Sequence, residues 1–158
     1  MKRKIFCGCL LALAALFAAW MLWPRPLVSG LEMADSLSAF VITDDVEVTY
    51  DEGIPIARPV GNVESYDEIP AGSAAGTAIW QVLENHTYHL CLDTLTGKQG
   101  LEDIGQLQVN LYGDGWDLKV FSGTRKAFLN GRLIRLDCWG DDDAARLCEA
   151  LAAVLRGE

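Results

Sequence analysis

The 158-residue chain has few of the residues from which active sites are most often built. It contains only two histidines, His86 and His89, and no G-x-S-x-G, P-loop or G-x-G-x-x-G motif. These absences exclude the nucleophile elbow of α/β-hydrolases and the two common glycine-rich phosphate cradles. The sequence therefore predicts no catalytic residue and no cofactor.

Cysteines are also too few, and odd in number, for a disulfide framework. Outside the first 29 residues there are three, Cys91, Cys138 and Cys148. An odd count cannot form a closed set of bridges. Two alternatives stay open: a single bridge between Cys138 and Cys148 across a strand-to-helix turn, or three small buried apolar side chains.

Basic residues are scarce after Gly30. Four of the 13 basic residues precede Gly30, so residues 30–158 carry 9 basic and 22 acidic residues, a formal charge of −13. Such a domain is repelled by nucleic-acid phosphates and by anionic lipid surfaces. Nucleic-acid binding is therefore excluded from the predicted functions.

No charged residue interrupts Ile5–Trp23, and this apolar run predicts where the rest of the chain lies. A transmembrane helix needs about 20 such residues. Lys2–Lys4 precede the run and only Arg25 follows it closely, so the N-terminus is expected in the cytoplasm. Residues 1–29 are predicted to be cytoplasmic basic residues, a membrane anchor and a linker, with the cytoplasmic membrane as the partner of residues 5–23.

A cleaved signal peptide is the alternative reading of the same segment. The apolar region of a signal peptide usually has only about 7–15 residues. Val28 and Gly30 nevertheless offer small side chains at a cleavage site. The first interpretation gives an anchored extracytoplasmic domain at the cell membrane, and the second gives a secreted one.

Periodicity predicts an α+β fold for the single acidic domain at residues 30–158. Apolar and polar residues alternate over 107–111 and 116–120, and Ser122-Gly123 and Asn130-Gly131 are turn signals. We therefore expect a four-stranded antiparallel meander, joined by an N-terminal strand over residues 40–50. Residues 51–71 contain three prolines and are predicted to be a long loop.

Two helices are predicted to cover one face of this twisted antiparallel sheet. The first begins near Ser73, with Ile79, Val82 and Leu83 on one side, and the second follows Gly140. A four-residue loop that pairs Leu111 with Trp116 places the apolar strand residues together. The predicted core face of the meander consists of Trp116, Leu118, Val120, Ala127, Leu129, Ile134, Leu136 and Cys138.

In this order of elements, residues 37–156 resemble small membrane-anchored domains of Gram-positive bacteria whose function is unknown. Those extracytoplasmic domains also have an anchor, a strand, a helix with an apolar stripe, a hairpin meander with an Asn-Gly-like turn and a terminal helix. The resemblance implies a bacterial, membrane-anchored protein, and it carries over no catalytic residue.

The sheet face opposite the predicted core is the main candidate for binding. The predicted register sets Lys119 opposite Lys126 and Lys126 opposite Arg135, a row of like charges that is unfavourable without a partner. Three aromatic residues share this face: Phe121, Phe128 and Trp139. The pattern predicts docking of a protein or an anionic cell-envelope partner, and the alternative is an ordinary solvated face.

A weaker pattern is His86-x-x-His89-x-Cys91, which offers three potential metal ligands. A structural zinc site needs a fourth ligand, and the sequence contains no C-x-x-C partner motif. A small exported enzyme or metal-binding protein is thus the alternative function. The preferred interpretation is a membrane-tethered, extracytoplasmic binding module without catalysis.

Overall fold

The computed structural model describes residues 2–32, 34–51, 54–97, 101, 105–136 and 143–158, with the side chains of 2–7 and 45–60 excepted. Helices and strands alternate irregularly along the chain. In order they are α1 (Lys2–Leu22), β1 (Arg25–Pro26), a 3-10 helix (Leu27–Gly30), β2 (Ser36–Asp51), β3 (Ile54–Pro70), α2 (Ala74–Glu84), β4 (Thr87–Tyr88), α3 (Leu92–Thr96), β5 (Leu107–Gly113), β6 (Trp116–Phe121), β7 (Lys126–Leu129), β8 (Arg132–Arg135) and α4 (Asp143–Arg156).

The main sheet has six antiparallel strands in the order β3-β2-β5-β6-β7-β8, and β1 pairs with β4 in a small second sheet. The predicted α+β class and the four-stranded meander β5–β8 are confirmed. The Asn130-Gly131 turn is also as predicted, with Leu129 opposite Arg132. Both turn residues have positive φ, 51° and 68°, as a type I′ turn requires.

The predicted pairing of Leu111 with Trp116 is wrong. Leu111 pairs with Leu118, and Gly113 pairs with Trp116 across a two-residue turn at Asp114-Gly115. Because side chains alternate with a period of two, two-residue and four-residue loops leave the same residues on the core face. The predicted core face of the meander is accordingly buried, apart from Cys138, which lies outside the described residues.

The predicted loop at residues 51–71 is also wrong, because residues 54–70 form strand β3. Its backbone pairs with β2 from Asp51 opposite Ile54 to Ser36 opposite Pro70. Proline lacks an N–H donor and is tolerated mainly in edge strands, and β3 is the edge of the six-stranded sheet. Pro55 and Pro59 are four residues apart, so both nitrogens can point away from β2.

The core lies between one sheet face and helices α2 and α4. Helix α2 begins next to Ser73, as predicted, and Ser73 caps it, because its hydroxyl accepts the N–H of Gly76 at 3.0 Å. Each helix contributes one buried stripe. The stripes are Ile79, Trp80 and Leu83 on α2, and Ala144, Leu147, Cys148, Leu151, Ala152 and Leu155 on α4.

Helix α1 meets the domain at its C-terminal end. The Leu90 N–H donates to the Met21 carbonyl at 3.2 Å, and Met21 is 7% exposed. Among the side chains that the structure describes, which start at Gly8 on α1, no helix has the length and apolar character to cross a membrane. The described residues thus do not support the predicted transmembrane span, and membrane anchoring stays a prediction.

An ion pair joins the end of α4 to the edge strand β3. The Arg156 guanidinium donates to both carboxylate oxygens of Glu64 at 2.5–3.2 Å, and the Tyr66 hydroxyl donates to the same carboxylate at 2.8 Å. The bond to Arg156, followed by that to Tyr66, lowers the pKa of Glu64 below its ordinary value. A protonated Glu64 would weaken this contact.

Glu64→Gln is expected to remove a pH-dependent part of the stability. A carboxyl whose pKa is lowered by folding stabilises the fold above its unfolded pKa, and this contribution disappears as the pH falls through the lower folded pKa. Urea unfolding of both proteins, followed by tryptophan fluorescence from neutral to acidic pH, measures the difference. The wild type should be the more stable at neutral pH, and the two curves should converge in acid. A constant difference would contradict the linkage.

Candidate functional site

The predicted row of three cations is only partly formed. Lys126 lies opposite Arg135 as predicted, but Lys119 lies opposite Phe128 rather than Lys126. The connection between β6 and β7 spans residues 122–125, twice the predicted length. Its first residue is held against β5, because the Ser122 N–H donates to the Leu107 carbonyl and the Ser122 hydroxyl accepts the Leu107 N–H. Strand β7 therefore begins two residues later than predicted. The predicted Lys119–Lys126 pair is therefore wrong.

The three cations on this face, Lys119, Lys126 and Arg135, either lie near a carboxylate or have a buried nitrogen. The Lys119 ammonium lies 3.8 Å from Asp117, and Lys126 forms an ion pair with Asp93 of α3. Exposed ion pairs contribute little to stability, but these two reduce the local positive charge. The Nε atom of Arg135 is buried and has no hydrogen-bond partner within the described ranges.

Segment 89–96 covers the β7–β8 side of this face, which the sequence did not predict. The backbones of His89 and Arg135 exchange two hydrogen bonds at 2.9–3.0 Å, and the Thr94 hydroxyl donates to the Leu133 carbonyl. Beneath this cover Leu133 is 2% exposed. Two sequence features could have indicated the short helix α3 in this segment. They are the acidic Asp93 in its first turn and Gly97, which is left-handed, after its last turn.

The predicted aromatic residues of this face differ in their exposure. Phe121 is 6% exposed and stacks edge-on against Phe128, with ring centroids 6.1 Å apart. Phe128 is half-buried. Trp139 lies outside the described residues. Of the predicted binding set, Lys119 and Phe128 thus adjoin the part of the sheet that segment 89–96 leaves uncovered.

This uncovered part, which we call the open face, spans β3, β2, β5 and β6 and ends at Phe128 of β7. Its residues alternate with the buried core residues of the same strands. Phe40 and Tyr112 pack edge-on at 5.8 Å, and Val63 is 60% exposed. The open face comprises Phe40, Ile42, Val63, Tyr112, Lys119 and Phe128.

The three predicted metal ligands, His86, His89 and Cys91, each make a different contact. The His86 Nδ1 atom lies 2.7 Å from the Val82 carbonyl, His89 is 4% exposed within its bridge to β8, and the Cys91 sulfur lies 3.3 Å from the Thr94 hydroxyl. Across the described part of the chain, no group of three or more His, Cys, Asp or Glu residues can hold a metal ion. The three-ligand site suggested for the alternative function is therefore not formed.

Cys148 is a free thiol in the core beneath the sheet. Its sulfur contacts the Leu107 and Val120 carbonyls at 3.4 and 3.7 Å. Burial raises the pKa of the Cys148 thiol to about 12, so the nucleophilic thiolate is scarce at neutral pH. This cysteine is structural, and its proposed partner, Cys138, lies outside the described residues.

Two cavities flank the junction between α1 and the domain. The first, of about 320 Å³, lies between the last turns of α1 and residues 89–92, with Arg135 in its wall. The second, of about 540 Å³, lies between Trp20, α3 and the β7–β8 turn. Both are open clefts rather than closed chambers, so they expose apolar surface next to α1.

Comparison of the chain with protein-family models, with curated proteins and with solved structures finds no match. The resemblance to Gram-positive anchored domains therefore stays a prediction.

Proposed function

We propose that the protein is a membrane-tethered, extracytoplasmic binding module without catalytic activity. Residues 5–23 anchor it in the cytoplasmic membrane, the N-terminus lies in the cytoplasm, and residues 30–158 present the open face to a partner in the cell envelope.

The apolar surface of α1 carries this proposal. Where its side chains are described, leucines point in several directions and are more than half exposed, including Leu11 at 70% and Leu13 at 67%. A helix that is apolar all round is stable when it is buried in a protein core or in a membrane. Among the described side chains, the core cluster runs from Leu27 to Leu155 and includes none from α1. The bilayer would supply the apolar surroundings that these exposed leucines lack.

The residues at the end of α1 fit the outer membrane interface. Trp20 and Trp23 are 52% and 68% exposed. Tryptophan rings favour the headgroup layer, where one side is apolar and the other hydrated. The Arg25 guanidinium lies 5.3 Å above the Trp20 ring and donates to the Trp20 carbonyl at 3.0 Å, so it satisfies an acceptor that the last turn leaves free.

The open face supports binding rather than catalysis. It combines the edge-packed Phe40 and Tyr112 with a Lys119 side chain that is 37% exposed. Aromatic rings supply large contact areas in interfaces at a low cost in side-chain entropy. The candidate ligands His86 and Cys91, in contrast, already contact groups within their own turns.

Carbonate washing and crosslinking in cells of the full chain test both parts of the proposal. The chain should stay in the washed membrane fraction, because its apolar helix is integrated. Lys119→Glu should stay there too but lose its crosslinked partner, since the new carboxylate reverses the charge on the open face. Arg146→Glu is the matched control, because Arg146 is an exposed cation on α4.

Release of the wild type by carbonate would contradict the tether. A shortened chain in the medium that begins near Gly30 would instead support the cleaved signal peptide. If both Lys119→Glu and Arg146→Glu lost the crosslink, or if both kept it, the open face would not be the binding surface.

A further inference from the structure

Two leucines of α3 are exposed beside the end of the anchor. Leu92 is 70% exposed and Leu95 is 49% exposed. Among the side chains described from residue 27 onward, Val63 is the other large hydrophobic residue with comparable exposure. Single exposed leucines are ordinary, but these two continue an apolar surface that begins on α1.

The backbone holds this segment alongside the last turns of α1. Arg25 pairs with Tyr88 between β1 and β4, and the Leu90 N–H donates to the Met21 carbonyl. The first cavity is lined by Phe17 and Leu22 of α1 together with residues 89–92. A helix rises 1.5 Å per residue, so those two α1 residues are about 7.5 Å apart along its axis. Segment 89–92 thus lies level with the part of α1 assigned to the interface.

Arginines occupy the same side of the domain. Arg25 lies over Trp20, and the exposed Arg132 lines the second cavity together with Trp20 and Leu95. The carboxylate of Asp93, the acidic residue of α3, is engaged by Lys126. Among the described residues that line the two cavities, the charged ones are Arg132 and Arg135, so this lining is opposite in sign to the net charge of the domain.

We propose that residues 88–96 rest on the phospholipid surface of the outer leaflet. Leu92 and Leu95 reach the boundary of the acyl chains, and Arg25 and Arg132 contact lipid phosphates. Interfacial helices bury their apolar side chains about 5–10 Å into this layer, and segment 89–92 lies beside the last turns of α1, where that layer would be. The inference rests on the proposed function, because it requires α1 to be in the bilayer, and it adds a second contact that orients the domain.

Photo-crosslinking of the full chain in vesicles tests this contact. The photoreactive residue p-benzoylphenylalanine replaces Leu95, Leu13 or Val63 in separate proteins, reconstituted in phosphatidylcholine with about one quarter phosphatidylglycerol. Leu13 reports insertion of α1. Val63 is the matched exposed residue on β3, which is five strands from β8, or about 24 Å at ~4.8 Å per strand. Mass spectrometry identifies the adducts.

Lipid adducts at Leu95 and Leu13, with none at Val63, are the expected result. Lipid adducts at Leu13 without any at Leu95 would overturn this inference and leave the tether intact. No lipid adduct at Leu13 would overturn the proposed function itself. A chain-to-chain adduct at Leu95 in place of lipid would overturn the inference and assign this surface to a second copy of the chain.

Substitution of an arginine tests the charge contribution separately. Arg132→Gln should lower the lipid adduct yield at Leu95 about fivefold, the factor that corresponds to the ~1 kcal/mol of one arginine near a lipid surface. Arg125→Gln, at an exposed arginine beside the opposite end of β7, should leave the yield unchanged. Equal effects of the two substitutions would overturn the role of Arg132.

Discussion

Trp116→Ala is expected to lower the free energy of unfolding by about 3–5 kcal/mol, the usual cost of removing a buried aromatic side chain. Trp116 is 5% exposed, and its ring packs edge-on against Trp80 with centroids 6.1 Å apart. Its indole N–H also donates to the Glu32 carbonyl at 2.6 Å, so the substitution leaves a backbone acceptor without this partner. Denaturant unfolding of the full chain in detergent, followed by circular dichroism, measures the loss.

Phe128→Ala is the matched control on the other side of the sheet. Phe128 is half-buried, and its main aromatic contact is with Phe121. A smaller loss than for Trp116→Ala is expected, because less apolar area returns to water. Equal large losses would mean that the open face is as well covered as the core, which would contradict its role as a binding surface.

The meander was predictable because two independent signals agree on it. Alternation from Leu107 to Leu136 assigns residues to faces, and Asn130-Gly131 fixes one register by demanding positive φ at both positions. The faces survive even where the pairing was wrong, since the errors at Leu111 and at Lys119 are shifts of two residues. A sequence pattern of period two cannot detect such a shift.

The errors at strand β3 and at segment 89–96 arose because their positions depend on contacts between residues far apart in the sequence. Pro55 and Pro59 argue against a central strand, but they are acceptable at a sheet edge, and edge position depends on the order of all six strands. Segment 89–96 is held by residues far along the chain, including Leu133 and Arg135. Lys119 and Phe128 were therefore assigned correctly to the face opposite the core, but the cover over this face and the register of Lys119 depended on tertiary contacts.

Gly113→Ala is expected to destabilise the fold by about 1–3 kcal/mol, the usual cost of overpacking a core. A Cβ atom at Gly113 would overlap the indole ring of Trp116, its partner in the pairing of β5 with β6. Gly113 does not have a positive φ, so its backbone conformation is open to alanine and the cost is steric. The same denaturant experiment measures this variant.

A double-mutant cycle separates the steric cause from ordinary turn effects. With Trp116→Ala in place, the obstructing ring is gone, and Gly113→Ala should cost much less, giving a coupling within the usual range of about 0.5–3 kcal/mol. Gly115→Ala is the control from the same turn, because Gly115 has a φ of +78° and no heavy atom within 4 Å of an added Cβ. Its cost of about 1–2 kcal/mol arises from the left-handed backbone, so it should be the same with or without the Trp116 ring. If Gly113→Ala cost the same free energy with and without the Trp116 ring, the packing of this ring over β5 would be contradicted.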